Sequence, residues 1–219
     1  MTLVPRFEVL PAAQRALWPE LAGVPPQFVL YGGTALALRL GHRASIDFDF
    51  FSHDPLDHHA LERALPWLRD AETLQEEANA RTVLAHADGG TVKVSLFGKI
   101  VFGRVGEPEL TEDGALRVAS LLDLGGTKVK ALLQRIEAKD YLDVAALLDA
   151  GVSIAEILGA ARALFGRAFN PLVAQKTLAY FEGGDLASLP PDVKQKLRLH
   201  ATREVEVEAL PLLSMRIDG

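Results

Sequence analysis

The hydrophobic pattern changes character near residue 120, and this change constrains the fold more than any other feature of the sequence. Before this point polar and apolar side chains alternate in short runs, as in residues 45–51, which is typical of strands with one buried and one open face. After Ala119 helical periodicity replaces the alternation. The pattern predicts an α+β lobe over residues 1–120 followed by a helical lobe over residues 121–219.

Turn and cap residues mark the ends of the predicted elements. Gly32-Gly33 separates a short apolar run from a run of helix formers, and Asp88-Gly89-Gly90 is a strong hairpin signal. Asp54 as N-cap with Pro55 at the first helical position predicts the start of another helix. The predicted strands cover residues 28–31, 45–51, 81–86 and 91–100 with a continuation over 101–108, and the predicted helices cover 12–18, 34–40, 54–65, 121–133, 141–148, 154–164, 170–181 and 191–210.

Composition excludes several classes of protein. Hydrophobic residues at 49% and charged residues at 24% are ordinary globular proportions, so collagen-like and disordered chains are excluded. The sequence has no cysteine, which rules out disulfides, a catalytic thiol and thiolate metal sites. A net charge of −6 argues against broad nucleic-acid binding that depends on neutralising phosphates, although a local basic site is compatible with it.

The distribution of apolar residues predicts a protein without a membrane partner. No apolar run approaches the roughly 18–20 residues that a membrane span requires. Residues 1–12 contain Pro5, Arg6, Glu8 and Pro11, where a signal peptide would be apolar. We therefore expect a cytoplasmic protein.

Two acids on one predicted strand form the first candidate site. Asp47 and Asp49 are two residues apart, so their carboxylates share a face about 6–7 Å apart while Phe48 and Phe50 face the core. Their mutual repulsion is on the order of 2–3 kcal/mol at an effective dielectric constant near 20. Magnesium binds such carboxylates together with the phosphates of its substrate, and so relieves the repulsion. The pair therefore predicts a magnesium–phosphate site, with a solvated strand face as the structural alternative.

The glycine corner before this strand fits the same chemistry. Gly32 and Gly33 allow backbone N–H groups to approach a phosphate, and the helix that begins near Thr34 directs the positive end of its dipole at that anion. Arg43 lies just before the acids, where its guanidinium can hold a triphosphate oxygen. By themselves, the glycines fit a simple strand–helix turn equally well.

Two blocks of sequence together resemble a known family. Residues 32–40 read Gly-Gly-Thr-Ala-Leu-Ala-Leu-Arg-Leu, and Arg-x-Ser-x-Asp-Phe-Asp-Phe-Phe follows at residues 43–51. The second block consists of Lys128, Ala131-Leu132, Arg135, Lys139-Asp140 and Asp143. In this order the blocks resemble the AbiEii/AbiGii toxin family of nucleotidyltransferases, within the DNA polymerase β-like nucleotidyltransferase superfamily. The resemblance covers roughly residues 28–148.

The resemblance implies a polymerase β-like nucleotidyltransferase mixed-sheet core and a helical C-terminal lobe. Asp47 and Asp49 would be catalytic residues and ligands of Mg²⁺ or Mn²⁺, and Lys128 and Asp140 would complete the catalytic site from the helical lobe. The residues implied in nucleotide binding are Gly32, Gly33, Thr34, Arg43, Ser45 and Lys128. Asp143 and Arg135 lie on the same helical block, with roles in ion pairs as the alternative.

The implied activity is transfer of a nucleoside monophosphate from an NTP to a hydroxyl group, with release of pyrophosphate. The acceptor would be RNA, such as tRNA, or a protein. Members of the family serve as toxins of toxin–antitoxin or abortive-infection systems, so an antitoxin protein is a possible partner.

The predicted strand over residues 91–97 departs from the superfamily pattern. The superfamily usually has a third carboxylate on such a strand, whereas this face offers Lys93, Ser95 and Phe97. An ammonium group at position 93 can relieve the repulsion between the two acids without a metal. In an enzyme, Asp140 or a substrate oxygen would supply the missing ligand, or one magnesium ion would suffice. The alternative to an enzyme is a catalytically degenerate module for nucleotide binding or protein interaction, with Lys93 replacing the metal.

Two further patterns do not predict sites. His53, His58 and His59 lack the spacing of zinc ligands on one helix face. The run Gly125-Gly126-Thr127-Lys128 lacks the spacing of a phosphate-binding loop. We expect it to form the first turn of a helix that carries Lys128.

Overall fold

The computed structural model describes residues 2–218, and their contacts divide the chain into two compact units. Within the described residues, the first, which we call the sheet unit, comprises residues 2–102, Glu107–Ala119 and residues 214–218. The second, which we call the helical unit, comprises Gly103–Gly106 and Ser120–Leu213. Each unit therefore contains segments that are distant in the sequence.

The sheet unit is built on a mixed eight-stranded sheet. Its strands follow one another in space in the order β1-β7-β8-β2-β3-β6-β5-β4. The predicted α+β class with a mixed sheet is therefore confirmed. The strands are β1 (Thr2–Leu3), β2 (Val29–Tyr31), β3 (Asp47–Phe51), β4 (Glu72–Glu77), β5 (Ala80–Ala87), β6 (Gly90–Phe97), β7 (Glu109–Thr111) and β8 (Arg117–Val118).

Strand β3 lies at the centre of the sheet. It pairs antiparallel with β2 and parallel with β6. Phe48 and Phe50 are fully buried while Asp47 and Asp49 are only partly buried, as the alternating pattern predicts. The helices of this unit are α1 (Ala12–Leu17), α2 (Gly32–Leu40) and α3 (His58–Ala64). Helix α2 follows β2 directly and ends at Gly41, whose φ of 69° is the left-handed conformation that favours glycine.

The predicted start of helix α3 is wrong by three residues. Asp57, not Asp54, is the N-cap, and its side chain accepts a hydrogen bond from the amide of Ala60. Asp54 instead accepts two hydrogen bonds of 3.0 Å from the guanidinium group of Arg216. A local capping pattern cannot reveal a partner 162 residues away.

Two strand predictions also need correction. The sheet does not continue over residues 101–108, and its next strands are β7 and β8. Strand β4 was not predicted because all six of its residues are exposed and three of them are glutamates, so it lacks an alternating pattern. It pairs with β5 at the edge of the sheet, where charged residues are common. The hairpin of β5 and β6 around Asp88-Gly89 is confirmed.

The helical unit consists of α4 (Leu121–Ala131), α5 (Ala138–Asp149), α6 (Ile154–Phe165), α7 (Pro171–Thr177) and α8 (Pro191–Thr202). Helices α7 and α8 end earlier than predicted, and a side chain of α7 binds the end of α8. Gln175 donates hydrogen bonds to the carbonyl oxygens of His200 and Arg203, the latter in extended conformation. Residue 203 is therefore held outside the helix, although apolar residues continue beyond it.

The glycine pair in α4 is not the first turn of the helix, contrary to the prediction. The N-cap is Ser120, whose hydroxyl accepts a hydrogen bond from the Asp123 amide. Gly125 and Gly126 lie inside α4 and face α6: a Cβ atom on Gly126 would lie 2.9 Å from the backbone nitrogen of Ala161. The pair therefore allows close approach of two helices.

Within residues 2–218, no single helix is long and apolar enough to cross a membrane. Residues 138–149 and 154–168 reach that length and composition only as a pair, with a bend of 120° between them.

Candidate active site

The two acids of β3 project from the same face of the sheet unit. Each is partly exposed, whereas the intervening Phe48 is buried. Asp49 pairs in register with Tyr31, the last residue of β2. Because α2 starts at the next residue, the strand carries the Asp49 carboxylate to the beginning of that helix.

Gly32 is packed against the Asp49 carboxylate. A Cβ atom on Gly32 would lie only 2.6 Å from Asp49 Oδ2, and the residue has a φ of 75°. Both the space and the backbone conformation therefore require glycine here. The first of the two predicted glycines is brought together with one of the two predicted metal ligands.

Gly33 is packed against Arg43 and Ser45. A Cβ atom on Gly33 would lie 2.5 Å from Nη2 of Arg43 and 3.0 Å from Oγ of Ser45. The guanidinium group therefore lies over the diglycine, as does the carboxylate of Asp49. We call the following residues, all of which belong to the sheet unit, the diglycine site: Gly32, Gly33, Thr34, Arg43, Ser45, Asp47 and Asp49.

Thr34 and Ser45 connect helix α2 to strand β3. Thr34 Oγ1 lies 2.9 Å from Ser45 Oγ and also hydrogen-bonds the backbone carbonyl oxygen of Asp47. Both side chains are buried. Their hydroxyl groups therefore fix the distance between the start of the helix and the acidic strand.

The first turn of α2 has the properties of an anion site. Its N-cap residue Tyr31 makes no side-chain capping hydrogen bond, and the turn itself contains no acidic residue, although the Asp49 carboxylate of β3 packs beside Gly32. The N–H groups at a helix N-terminus attract anions because the helix dipole adds a partial positive charge. The Arg43 guanidinium group beside Gly33 adds a full positive charge.

Strand β6 places Lys93 beside the acids. In the parallel register Lys93 is opposite Asp47, and the buried Ser95 is opposite Asp49. Lys93 Nζ lies 3.4 Å from Asp47 Oδ2, and their side chains are 42% and 29% exposed. The sequence predicted that the ammonium group of Lys93 points at Asp47 and Asp49, and the structure shows this contact for Asp47.

The residues present fit one divalent cation bound together with a triphosphate. Magnesium is commonly held by one or two carboxylates plus phosphate oxygens, and Asp47 and Asp49 supply two such carboxylates. Nowhere in residues 2–218 do three or more His, Cys, Asp or Glu side chains form a group that could hold a metal by themselves. The metal site would therefore depend on phosphate oxygens of the nucleotide.

The second predicted group lies in the helical unit and forms a buried ion cluster. Lys128 Nζ lies 2.9 Å from Asp140 Oδ1 and 2.6 Å from Asp143 Oδ2. Arg135 Nε lies 2.7 Å from Asp140 Oδ2. Lys128 is 5% exposed and both aspartates are fully buried. The Arg135 side chain is 45% exposed and also lies 3.6 Å from Glu137, so the buried charges of the cluster are those of Lys128 and the two aspartates. Each of these buried charges has a partner of opposite sign, which is how buried charges are tolerated.

The environment of Asp140 favours its ionised form. Burial tends to raise the pKa of Asp140, but the Arg135 hydrogen bond and the Lys128 charge and hydrogen bond outweigh it, so the pKa lies below its ordinary 3.8. Asp140 therefore takes part in the ion-pair network as a carboxylate.

Asp123 is a buried acid that sequence reasoning did not single out. Its carboxylate accepts hydrogen bonds from the amides of Val105 and Gly106 and from the hydroxyl of Ser120, all within the helical unit. Burial raises the pKa of Asp123. The Ser-x-x-Asp spacing at the start of α4 is the sequence signal that could have identified this acid.

The fold is that of nucleotidyltransferases, as two solved structures indicate. The chain aligns with a crystal structure of a putative nucleotidyltransferase from H. pylori at a TM-score of 0.55 and 21% identity, over 86% of this chain and 89% of that one. It also aligns with MenT4, a nucleotidyltransferase toxin from Mycobacterium tuberculosis, at a TM-score of 0.57 and 14% identity, over 86% and 80% of the two chains.

A family model built from sequences matches most of the chain. The family model described as nucleotidyl transferase AbiEii toxin, type IV TA system, matches residues 15–209, and the chain belongs to this family. An uncharacterised protein of Aquifex aeolicus, aq_aa25, is 33% identical over 124 residues. That match spans 56% of this chain and 58% of the relative.

Proposed function

We propose that the protein is a magnesium-dependent nucleotidyltransferase that moves a nucleoside monophosphate from an NTP to a hydroxyl of RNA, such as tRNA, or of a protein. The observation that carries the proposal is the meeting of Asp49 and Arg43 over the diglycine at the start of α2. The start of α2 can bind the phosphates of an NTP, and the two carboxylates on the same face can bind the cation that accompanies them.

Different residues of the diglycine site bind the phosphates and the metal ion. The amides of Gly32 and Gly33 and the guanidinium group of Arg43 bind phosphate oxygens. Thr34 and Ser45 hold the helix start and the acidic strand in register. Asp47 and Asp49 would hold Mg²⁺ or Mn²⁺, which when bound neutralises the triphosphate.

The reaction is an in-line displacement at the α-phosphorus. A bond forms between the acceptor oxygen and the α-phosphorus, and the bond from that phosphorus to the bridging oxygen breaks. Its electron pair leaves with pyrophosphate, and the proton of the acceptor hydroxyl passes to water or to a site carboxylate. Such reactions depend chiefly on positioning and charge stabilisation.

Lys128 and Asp140 keep the roles that the family resemblance implies. We assign Lys128 to nucleotide binding and both residues to catalysis. Asp140 and Asp143 hold the ammonium group in one orientation, and Arg135 holds the Asp140 carboxylate. The variant Lys128→Arg keeps the positive charge but changes its shape. We expect a large loss of label transfer and a small change in the free energy of unfolding, measured by label transfer and by urea unfolding.

The biological role proposed is that of a toxin with an antitoxin partner in the cytoplasm, where NTPs and tRNA are found. The family description supports it, since it names a type IV toxin–antitoxin system.

Label transfer tests the activity. The protein is incubated with each α-labelled NTP, Mg²⁺ and either total tRNA or total protein, and we expect label in one acceptor fraction. Asp47→Asn should abolish transfer. Asp88→Asn is the matched control, because Asp88 is an exposed acid in the hairpin turn of the same unit. A folded protein with neither transfer nor metal-dependent NTP binding would refute the proposal.

A second candidate is a degenerate module that binds nucleotides or a protein partner without turnover. The proximity of Lys93 Nζ to Asp47 favours it, because the ammonium group can replace the metal. This candidate predicts that Mg²⁺ does not bind to the natural protein and binds to Lys93→Ala.

A further inference from the structure

We infer that Lys93 takes the place of a second divalent cation, so that the diglycine site works with one metal ion and one ammonium group. The inference rests on the proposed function in that an NTP is the ligand. It assigns an electrostatic role to a residue outside both sequence blocks that resemble the family.

The strand register fixes Lys93 on the site face. Val92, Val94 and Leu96 are buried and alternate with Lys93, so a shift of one residue would expose the apolar side chains. Neighbouring strands lie about 4.8 Å apart, which keeps the base of the Lys93 side chain next to Asp47. The 3.4 Å contact between Lys93 Nζ and Asp47 Oδ2 follows from this register.

The charges beside the diglycine suit one divalent cation rather than two. Asp47 and Asp49 carry two negative charges, Lys93 and Arg43 carry one positive charge each, and Ser95 is neutral. Two divalent cations in one site lie about 3.5–4 Å apart and repel each other, so they need shared anionic ligands. Residues 2–218 offer no group of three or more metal-binding side chains for this purpose.

The contact between Lys93 and Asp47 is not explained by folding stability. Both side chains are partly exposed, and at 3.4 Å the pair is a loose one. Exposed ion pairs of this kind contribute little to stability. A flexible ammonium group can instead move from Asp47 to a phosphate oxygen when a metal ion occupies the carboxylates.

Counting bound Mn²⁺ tests the inference without relying on turnover. The full chain is titrated with Mn²⁺ in the presence of an α,β-methylene NTP analogue, and bound metal is measured by electron paramagnetic resonance. We expect one Mn²⁺ per protein. Lys93→Glu should raise the number to two, because it supplies a third carboxylate. Lys176→Glu, the same charge change at an exposed position of α7, should leave the number at one.

A second variant keeps the test decisive if Lys93→Glu fails to fold. Lys93→Met removes the charge while retaining an unbranched side chain, so Mn²⁺ should bind about tenfold more tightly, with an unchanged stoichiometry, because one nearby positive charge no longer repels it. Two Mn²⁺ ions on the natural protein, or unchanged affinity in Lys93→Met, would overturn the inference and leave the proposed function standing. Absence of both Mn²⁺ and nucleotide binding would instead overturn the proposed function.

Discussion

At the scale of single residues, Gly32 combines two requirements. Its φ of 75° lies in the region that favours glycine, and its α-carbon faces Asp49 Oδ2 with no room for a methyl group. A substitution here therefore affects both the backbone and a proposed metal ligand.

We expect Gly32→Ala to lose about 1–3 kcal/mol of stability through backbone strain and to lose metal-dependent NTP binding as well. Gly114→Ala is a matched control, because Gly114 has a φ of 73° and nothing within 4 Å of an added Cβ. Urea unfolding and calorimetry with an NTP analogue distinguish the two effects. Loss of nucleotide affinity in both variants, or in neither, would contradict the role of the Asp49 contact.

The cluster around Lys128 permits a second test at this scale. Asp140→Asn leaves Lys128 buried with one anionic partner fewer, so we expect the free energy of unfolding to fall by about 3–5 kcal/mol. Asp149→Asn lies on the same helix and removes an exposed pair with Lys196, which should cost about 0–1 kcal/mol. Chemical denaturation measures the free energy of unfolding of both variants. Equal losses would show that the buried cluster stabilises the protein no more than an exposed ion pair does.

At the scale of elements, the contact between α4 and α6 depends on glycine. In a helix interior, alanine is normally more stable than glycine by about 1 kcal/mol. At position 126 the added methyl group would instead meet the Ala161 backbone at 2.9 Å, whereas at position 125 it would meet the side chain of Ile157 at 3.2 Å. A side chain can adjust more easily than a backbone.

We therefore expect Gly126→Ala to destabilise the helical unit by about 1–3 kcal/mol and Gly125→Ala to have a smaller effect. Thermal unfolding followed by circular dichroism measures the difference. A gain in stability for Gly126→Ala would mean that helix propensity outweighs the close approach of α4 and α6.

Elements with strong local signals agree with their predictions. The alternation in β3, the Asp-Gly turn of the hairpin and the stop of α2 at Gly41 each depend on neighbours in sequence. The errors arise where distant residues decide the outcome. Arg216 binds the predicted cap Asp54, and exposed β4 obtains its backbone partner from β5.

At the scale of the whole molecule, acid should destabilise the protein through carboxyl groups with lowered pKa values. The folded-state pKa of Asp140 is lower than its ordinary 3.8, so its stabilising contribution is complete above that pH and is lost as the pH falls through the folded value. Asp123 has the opposite sign: its raised pKa costs stability once the pH exceeds the ordinary value.

We expect the free energy of unfolding to fall as the pH is lowered through the ordinary aspartate value of 3.8 and below it, and to fall less in Asp140→Asn than in the natural protein. Denaturation at a series of pH values measures both slopes. Equal slopes of the free energy of unfolding against pH would show that Asp140 does not dominate the loss of stability in acid. A shallower slope in the variant would support the ion-pair network.

The sequence by itself determined the fold class, the alternation that puts Asp47 and Asp49 on one face, and the family resemblance, because these depend on short-range periodicity and on spacing along the chain. Only the tertiary structure decided that Asp49 lies over Gly32, that Lys93 contacts Asp47, and that Lys128 is enclosed by two aspartates. Such contacts depend on strand register and helix packing, which are set by the burial of many side chains together and not by any local pattern.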